Sequence, residues 1–132
     1  MIKTTEIMKG LQEYLKSKGF DLQVPIYIGS DSSIIAKMRP GIHIQCLKYR
    51  NYSFDLLIHY VVNINVQGII YSIEDELQLR NLADSIVNHF IEDSYTICIK
   101  NREFSISDID VTISVENSFG QITIKIFLRE KE

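Results

Sequence analysis

The chain has 132 residues, a formal net charge of −3 at pH 7 and a hydrophobic content of 45%. This length favours one domain with its own core, so we expect residues 1–132 to fold as a single unit. The acidic balance argues against a general nucleic-acid binder, and no apolar run reaches the roughly 18 residues that a membrane-spanning helix needs.

The N-terminal part of the chain predicts a helix and then a short strand. Apolar residues at helical spacing, opposite a charged face, predict an amphipathic helix over residues 3–18. Gly10 weakens this helix, whereas Gly19 is well placed to end it in the left-handed conformation. Apolar alternation over residues 24–28 predicts a strand, and Pro25 places that strand at a sheet edge because proline has no N–H to donate.

Two further strands follow a loop over residues 29–41. Alternation predicts the first over residues 42–49, and a turn at Asn51–Ser53 leads into a long strand over residues 54–65. Both faces of the long strand carry apolar residues, which is typical of a central strand or of one that meets a partner.

The C-terminal half predicts a second helix followed by strands. Ser72 is a suitable N-cap, and a continuous apolar stripe predicts a helix over residues 74–91. Strands are expected at residues 95–100 and 104–106. Strict alternation then predicts a hairpin of residues 109–116 and 121–128, with one apolar and one mostly polar face.

The element order is therefore α-β-β-β-α-β-β-β, with allowance for short extra strands such as residues 104–106. Helices that are separate from mainly hairpin-linked strands favour an α+β fold with a largely antiparallel sheet. We expect both helices to pack on one face of that sheet. The apolar face of the terminal hairpin would lie under the stripe from Leu79 to Ile91, so that core packing accounts for it fully.

No group of residues in the sequence has the pattern of a catalytic, cofactor or metal site. His43 and His59 lie on predicted strands that could bring them together, but a zinc site would need further ligands, so ordinary surface or interface histidines are favoured. The acidic run Glu74–Glu76 fits the electrostatics of a helix start. We therefore predict that the protein is not an enzyme, and we assign no catalytic, cofactor-binding or metal-binding residue.

The best indication of function is a candidate interface. Three apolar residues in the loop over residues 29–41 would be costly to leave in water together, which favours a partner surface, although they could also fold back on the core. Basic residues interleaved with Tyr49 and Tyr52 could contact an acidic protein or a nucleic acid, or could simply be solvated. The candidate interface residues are Ile34, Ile35, Lys37, Met38, Arg39, Lys48 and Arg50.

The whole-chain pattern resembles the tail-terminator, or tail-completion, proteins of tailed bacteriophages and related prophage particles. The resemblance rests on six segments of the chain: Ile2–Ile7, Val24–Tyr27, Met38–Gly41, Tyr52–Asn65, Glu74–Ile91 and the terminal hairpin with Ile109-Asp110-Val111. It implies an α+β virion protein without enzymatic activity, assembled in the bacterial cytoplasm and located in the tail.

The same resemblance implies the partners. Proteins of this family form six-membered rings that cap the tail tube, stop its polymerisation and present a surface to the head–tail connector. The expected partners are therefore other copies of the chain, the tail tube protein and the connector protein. The resemblance implies no membrane contact, and nucleic acid would be an incidental contact, as DNA passing through the lumen.

Two other function classes remain open at this stage. The first is a small acidic binding module, similar to a secretion chaperone, that holds an extended client as a dimer. That family typically ends in a helix, whereas this chain ends in a strand and the charged segment Arg129–Glu132. The second is a small enzyme or nucleic-acid-processing domain that uses the acidic run or the histidine pair.

Charging the loop tests whether it belongs to the interface. We expect the double substitution Ile34→Asp with Ile35→Asp to abolish assembly and leave the fold intact, because a partner surface would have to bury both charges. Particle mass measures assembly, and circular dichroism measures the fold. Loss of the fold would place the loop in the core, and unchanged assembly would remove it from the interface.

Overall fold

A computed structural model describes residues 2–22, 24–29, 40–63, 73–116 and 119–131. The helices are α1 (Thr4–Ser17) and α2 (Ile73–Glu92), and a short 3-10 turn spans Phe20–Leu22. The strands are β1 (Ile26–Ile28), β2 (Gly41–Arg50), β3 (Ser53–Asn63), β4 (Thr96–Ile99), β5 (Arg102–Glu116) and β6 (Phe119–Glu130). The predicted α+β class and element order are confirmed.

The six strands form one sheet in the order β1-β2-β3-β6-β5-β4. Only β1 runs parallel to its neighbour, and the other pairs are antiparallel. β1 lies at one end of the sheet, as Pro25 predicts, and β3 is central. The last strand, β6, lies between β3 and β5, so it joins the β2–β3 hairpin to the β4–β5 hairpin.

Both helices pack on one face of the sheet, which we call the inner face. Along most of β3 and β6, alternate side chains point to the inner face and are buried. These side chains form one cluster with the apolar stripes of α1 and α2. The cluster includes Ile7, Leu11 and Leu15 of α1, Leu79, Ile86 and Phe90 of α2, Leu56 and Ile58 of β3, and Ile122, Ile124, Ile126 and Leu128 of β6. No helix in the described residues is long and apolar enough to cross a bilayer.

The terminal hairpin differs from its prediction in two ways. Residues 102–116 form one strand with a bulge between Ser107 and Asp110, where two separate strands were expected. The predicted complete cover of its apolar face is wrong as well. All four inner-face residues of β6 are buried, but Val111 of β5 is 40% exposed, and Ile91 at the end of the helical stripe is also exposed. The cover of α2 therefore thins out toward β5.

A polar contact ties together the C-terminal ends of the two helices. The Tyr14 hydroxyl donates a 2.6 Å hydrogen bond to Asp93 Oδ2, and Lys18 Nζ lies 2.9 Å from the same oxygen. The hydrogen bond from Tyr14 and the contact with Lys18 hold the pKa of Asp93 below its usual range. Gly19, with a φ of +87°, ends α1 beside this contact, as predicted.

Gly10 allows α1 to lie close to β4. A Cβ atom at this position would lie 2.6–2.8 Å from three side-chain carbons of Ile99, which is itself buried. Real carbon atoms do not approach this closely, so any larger residue would have to displace Ile99. The glycine that lowers helix propensity is therefore required for packing.

We expect Gly10→Ala to lower the free energy of unfolding. Alanine favours the helix by up to about 1 kcal/mol, but overpacking of this kind costs about 1–3 kcal/mol, so the net loss should be about 1 kcal/mol. Chemical denaturation measures it, with the exposed neighbour Lys9→Ala as the control. In an Ile99→Ala background, which removes all three crowding carbons, Gly10→Ala should become neutral or stabilising. Stabilisation in the wild-type background would contradict this account.

Candidate functional site

The predicted interface residues fall into two groups. Ile34, Ile35, Lys37, Met38 and Arg39 lie outside the described residues. Lys48 and Arg50 lie on β2, are both exposed, and point to the outer face of the sheet, opposite the helices.

The segment Leu47–Arg50, which we call the basic edge, lies along an open side of the sheet. β1 pairs with β2 only up to Ile44. Beyond that residue, the backbone edge of β2 that faces away from β3 has no strand partner among the described residues. Leu47 is 50% exposed and Tyr49 is 56% exposed, even though Tyr49 stacks on Phe54 with a centroid distance of 6.5 Å. Lys48 and Arg50 form no ion pair with a described carboxylate. This edge therefore carries two cations that form no ion pair with a described carboxylate, and two exposed apolar side chains.

A second open edge lies across the sheet on β5. β4 pairs with β5 only from Arg102 to Ser105. Beyond Ile106, the backbone edge of β5 that faces away from β6 therefore has no strand partner among the described residues. The segment Asp108–Val111, which we call the acidic edge, follows the bulge, and Asp108 has a φ of 52°. Sequence reasoning missed this edge.

The carboxylates of the acidic edge lie on the outer face. Asp108, Asp110 and Asp55 line a pocket of about 310 Å³ together with Lys125 and Phe127. Lys125 lies opposite Asp110 in the strand register, but neither Asp108 nor Asp110 is within ion-pair distance of a described cation. Among the residues that the structure describes, no group of three histidine, cysteine or acidic side chains could hold a metal ion.

His43 and His59 meet on the outer face, where they are direct cross-strand partners on β2 and β3. Both are buried, which corrects the expectation of surface or interface histidines. The ring of Tyr27 stacks on His43 with a centroid distance of 5.0 Å. The side-chain amide of Gln121 donates to His59 Nδ1 at 2.9 Å, so Nδ1 acts as an acceptor and the neutral ring carries its proton on Nε2.

Burial lowers the pKa of His59, and the neighbouring His43 lowers it further. The imidazolium of His59 would have to form without water around it and beside a second buried ring. His59 is therefore suited to staying neutral and to packing against His43. Sequence alternation already placed both residues on strands, but their alignment depends on the register of the β2–β3 hairpin.

A third feature is a groove of about 950 Å³ between α1 and the edge strand β4. Ile97, Ile99 and Gly10 form its apolar floor, and its rim carries both cations and carboxylates, among them Lys3, Glu6, Lys9 and Lys100. The mixed rim favours no single charge.

The acidic run Glu74–Glu76 lies in the first turn of α2, where the sequence places a helix start.

Comparison with protein-family models finds no match to this chain, and comparison with curated proteins finds none either. The features of this chain that bear on its function are therefore the two edges, the groove and the histidine pair.

The lowered pKa of buried His59 predicts that stability falls in acid. In the unfolded state, His59 takes up a proton near the ordinary histidine pKa of about 6.5, whereas in the folded state its pKa is lower. The free energy of unfolding therefore keeps its full value above about pH 6.5 and declines below it. The contribution of one such group to the slope is at most about 1.4 kcal/mol per pH unit. Unfolding midpoints between pH 7.5 and pH 5, values chosen to bracket about 6.5, measure the decline.

His59→Asn should flatten this pH dependence, since the asparagine oxygen can still accept the hydrogen bond from Gln121. Thr123→Val is the control, because it removes the 3.2 Å contact with His59 Nδ1 but keeps the titrating ring. It should lower stability at every pH and preserve the slope. An unchanged slope in His59→Asn would assign the acid sensitivity to other groups.

Proposed function

We propose that the protein is a structural, non-enzymatic subunit of a phage-like tail, which assembles with copies of itself into a ring that caps the tail tube and joins it to the head–tail connector. The observation that carries the proposal is the presence of two different open edges on one sheet, the basic edge on β2 and the acidic edge on β5. A ring needs this asymmetry, because each subunit must offer one surface to the preceding copy and a different one to the next.

The edges also favour assembly over a lone subunit. Unpaired strand edges are prone to pair with other chains, so monomeric proteins normally keep them short, covered or charged. Here both edges keep charges and bulges, but they also expose Leu47, Tyr49 and Val111. Apolar side chains at an open edge are stabilised when a neighbour covers them.

A sturdy core supports the same role. The inner face of the central strands is buried under both helices, so the outer face and the edges can engage partners without disturbing the core. In the proposed ring, the tail tube protein and the connector protein would contact the two ends of the ring. DNA passing through the lumen would be an incidental contact.

A second candidate function is a binding module that holds an extended client as a dimer. The groove between α1 and β4 favours it, because an extended segment laid there could add a strand to β4, which ends the sheet. This module would need only one open edge, whereas the described strands leave parts of β2 and β5 unpaired as well as β4.

The mass and shape of the purified protein distinguish the two functions. We expect ring-shaped particles in negative stain and a mass close to six copies of the 15.3 kDa chain. The measurement should be repeated over a range of concentrations and salt, because charged contacts weaken as salt rises. A compact dimer of fixed mass would favour the binding module, and a monomer under every condition would contradict the ring.

A further inference from the structure

We infer that the basic edge of one subunit pairs with the acidic edge of the next, so that the sheet continues from subunit to subunit. The inference deepens the proposed function, on which it rests for closure into a ring. The occupant of each open edge is then a second copy of this chain.

Charge complementarity is the first argument for this partner. Lys48 and Arg50 form no ion pair with a described carboxylate, and Asp108 and Asp110 form none with a described cation. Two strands, β3 and β6, separate β2 from β5, so the two edges are too far apart to form ion pairs with each other within one subunit. A neighbouring copy would bring two carboxylates to the basic edge and two cations to the acidic edge, in addition to the cross-strand partners Asp55 and Lys125.

The alternation of side chains is the second argument. On β2, Lys48 and Arg50 point to the outer face and Tyr49 to the inner face, while on β5 Asp110 points outward and Val111 inward. Pairing of the two strands would set cations against a carboxylate on one face. On the other face it would set exposed Tyr49 against exposed Val111.

Strand direction is the third argument. Three successive antiparallel pairs separate β2 from β5, so these two strands run in opposite directions within a subunit. A second copy in the same orientation along the sheet would therefore bring its β2 antiparallel to the first copy's β5. No strand has to turn over for the sheet to continue.

An extended polyanion such as a nucleic acid fits the basic edge less well. Asp55, which is the register partner of Lys48, and the other carboxylates of the 310 Å³ pocket lie on the same outer face. They would repel a continuous row of phosphates, as would the net charge of −3. A protein edge with alternating charge and apolar groups meets neither difficulty.

A charge exchange tests the inference. The variant Lys48→Glu with Arg50→Glu makes both edges acidic, and Asp108→Asn with Asp110→Lys makes the second edge basic. Asparagine is used at residue 108 because it tolerates the positive φ there. Each variant alone should associate at least about tenfold more weakly than the wild type, whereas an equimolar mixture should recover particles of wild-type mass, because each variant keeps the edge that the other needs.

The matched control is Lys9→Glu with Lys16→Glu, which changes the net charge by the same amount as the first variant but at exposed positions of α1, on the opposite face of the sheet from Lys48 and Arg50. It should assemble like the wild type. Circular dichroism and unfolding midpoints verify that every variant is folded. A single-stranded oligonucleotide serves as a polyanion probe. Suppose that the wild type binds it tightly, and that the variant Lys48→Glu with Arg50→Glu loses this binding but still assembles. That result would assign the basic edge to nucleic acid and overturn the inference.

The outcomes separate the inference from the proposed function. Suppose that the wild type forms rings. If the folded variants still assemble alone, or if their mixture fails to assemble, the edge pairing is wrong, whereas the proposed ring is supported. Restored assembly in the mixture, in particles other than closed rings, would support the edge pairing and contradict the ring. A wild type that is monomeric at every concentration would contradict both.

Discussion

The central position of β6 is the constraint on which the rest of the structure depends. This strand pairs with β3 along one side and with β5 along the other, and its four inner-face residues are completely buried. Without it, the β2–β3 and β4–β5 hairpins share no ladder, and the two helices lose the middle of the surface that they cover. The free energy of the fold is therefore concentrated where apolar residues of three strands meet the stripes of α1 and α2.

Strand alternation gives the two faces of the sheet different roles. Because the inner face takes nearly all the apolar side chains of the sheet, the outer face is left with the buried histidine pair at one end and exposed charges at the other. The bulges in β2 and β5 lie next to the charged segments. The surface that is free to recognise a partner is thus the one that contributes least to the core.

Local patterns in the sequence predicted both helices, the edge position of β1 and the central position of β3. They did not predict that β6 inserts next to β3 or that residues 102–116 form one strand, because both depend on contacts between distant parts of the chain. For the candidate site, Lys48 and Arg50 were found from their charge. Asp108 and Asp110 were missed, since alternating aspartates look like any solvated strand face until the strand pairing shows that β4 leaves this part of β5 without a partner.

The order of synthesis gives the position of β6 a further consequence. β6 follows every other strand and both helices in the chain, yet it fills the middle of the sheet. While it is still inside the ribosome, the two hairpins expose unpaired edges and an apolar face that nothing else can cover. Folding then waits for long-range pairing, which is slow and exposes the chain to aggregation.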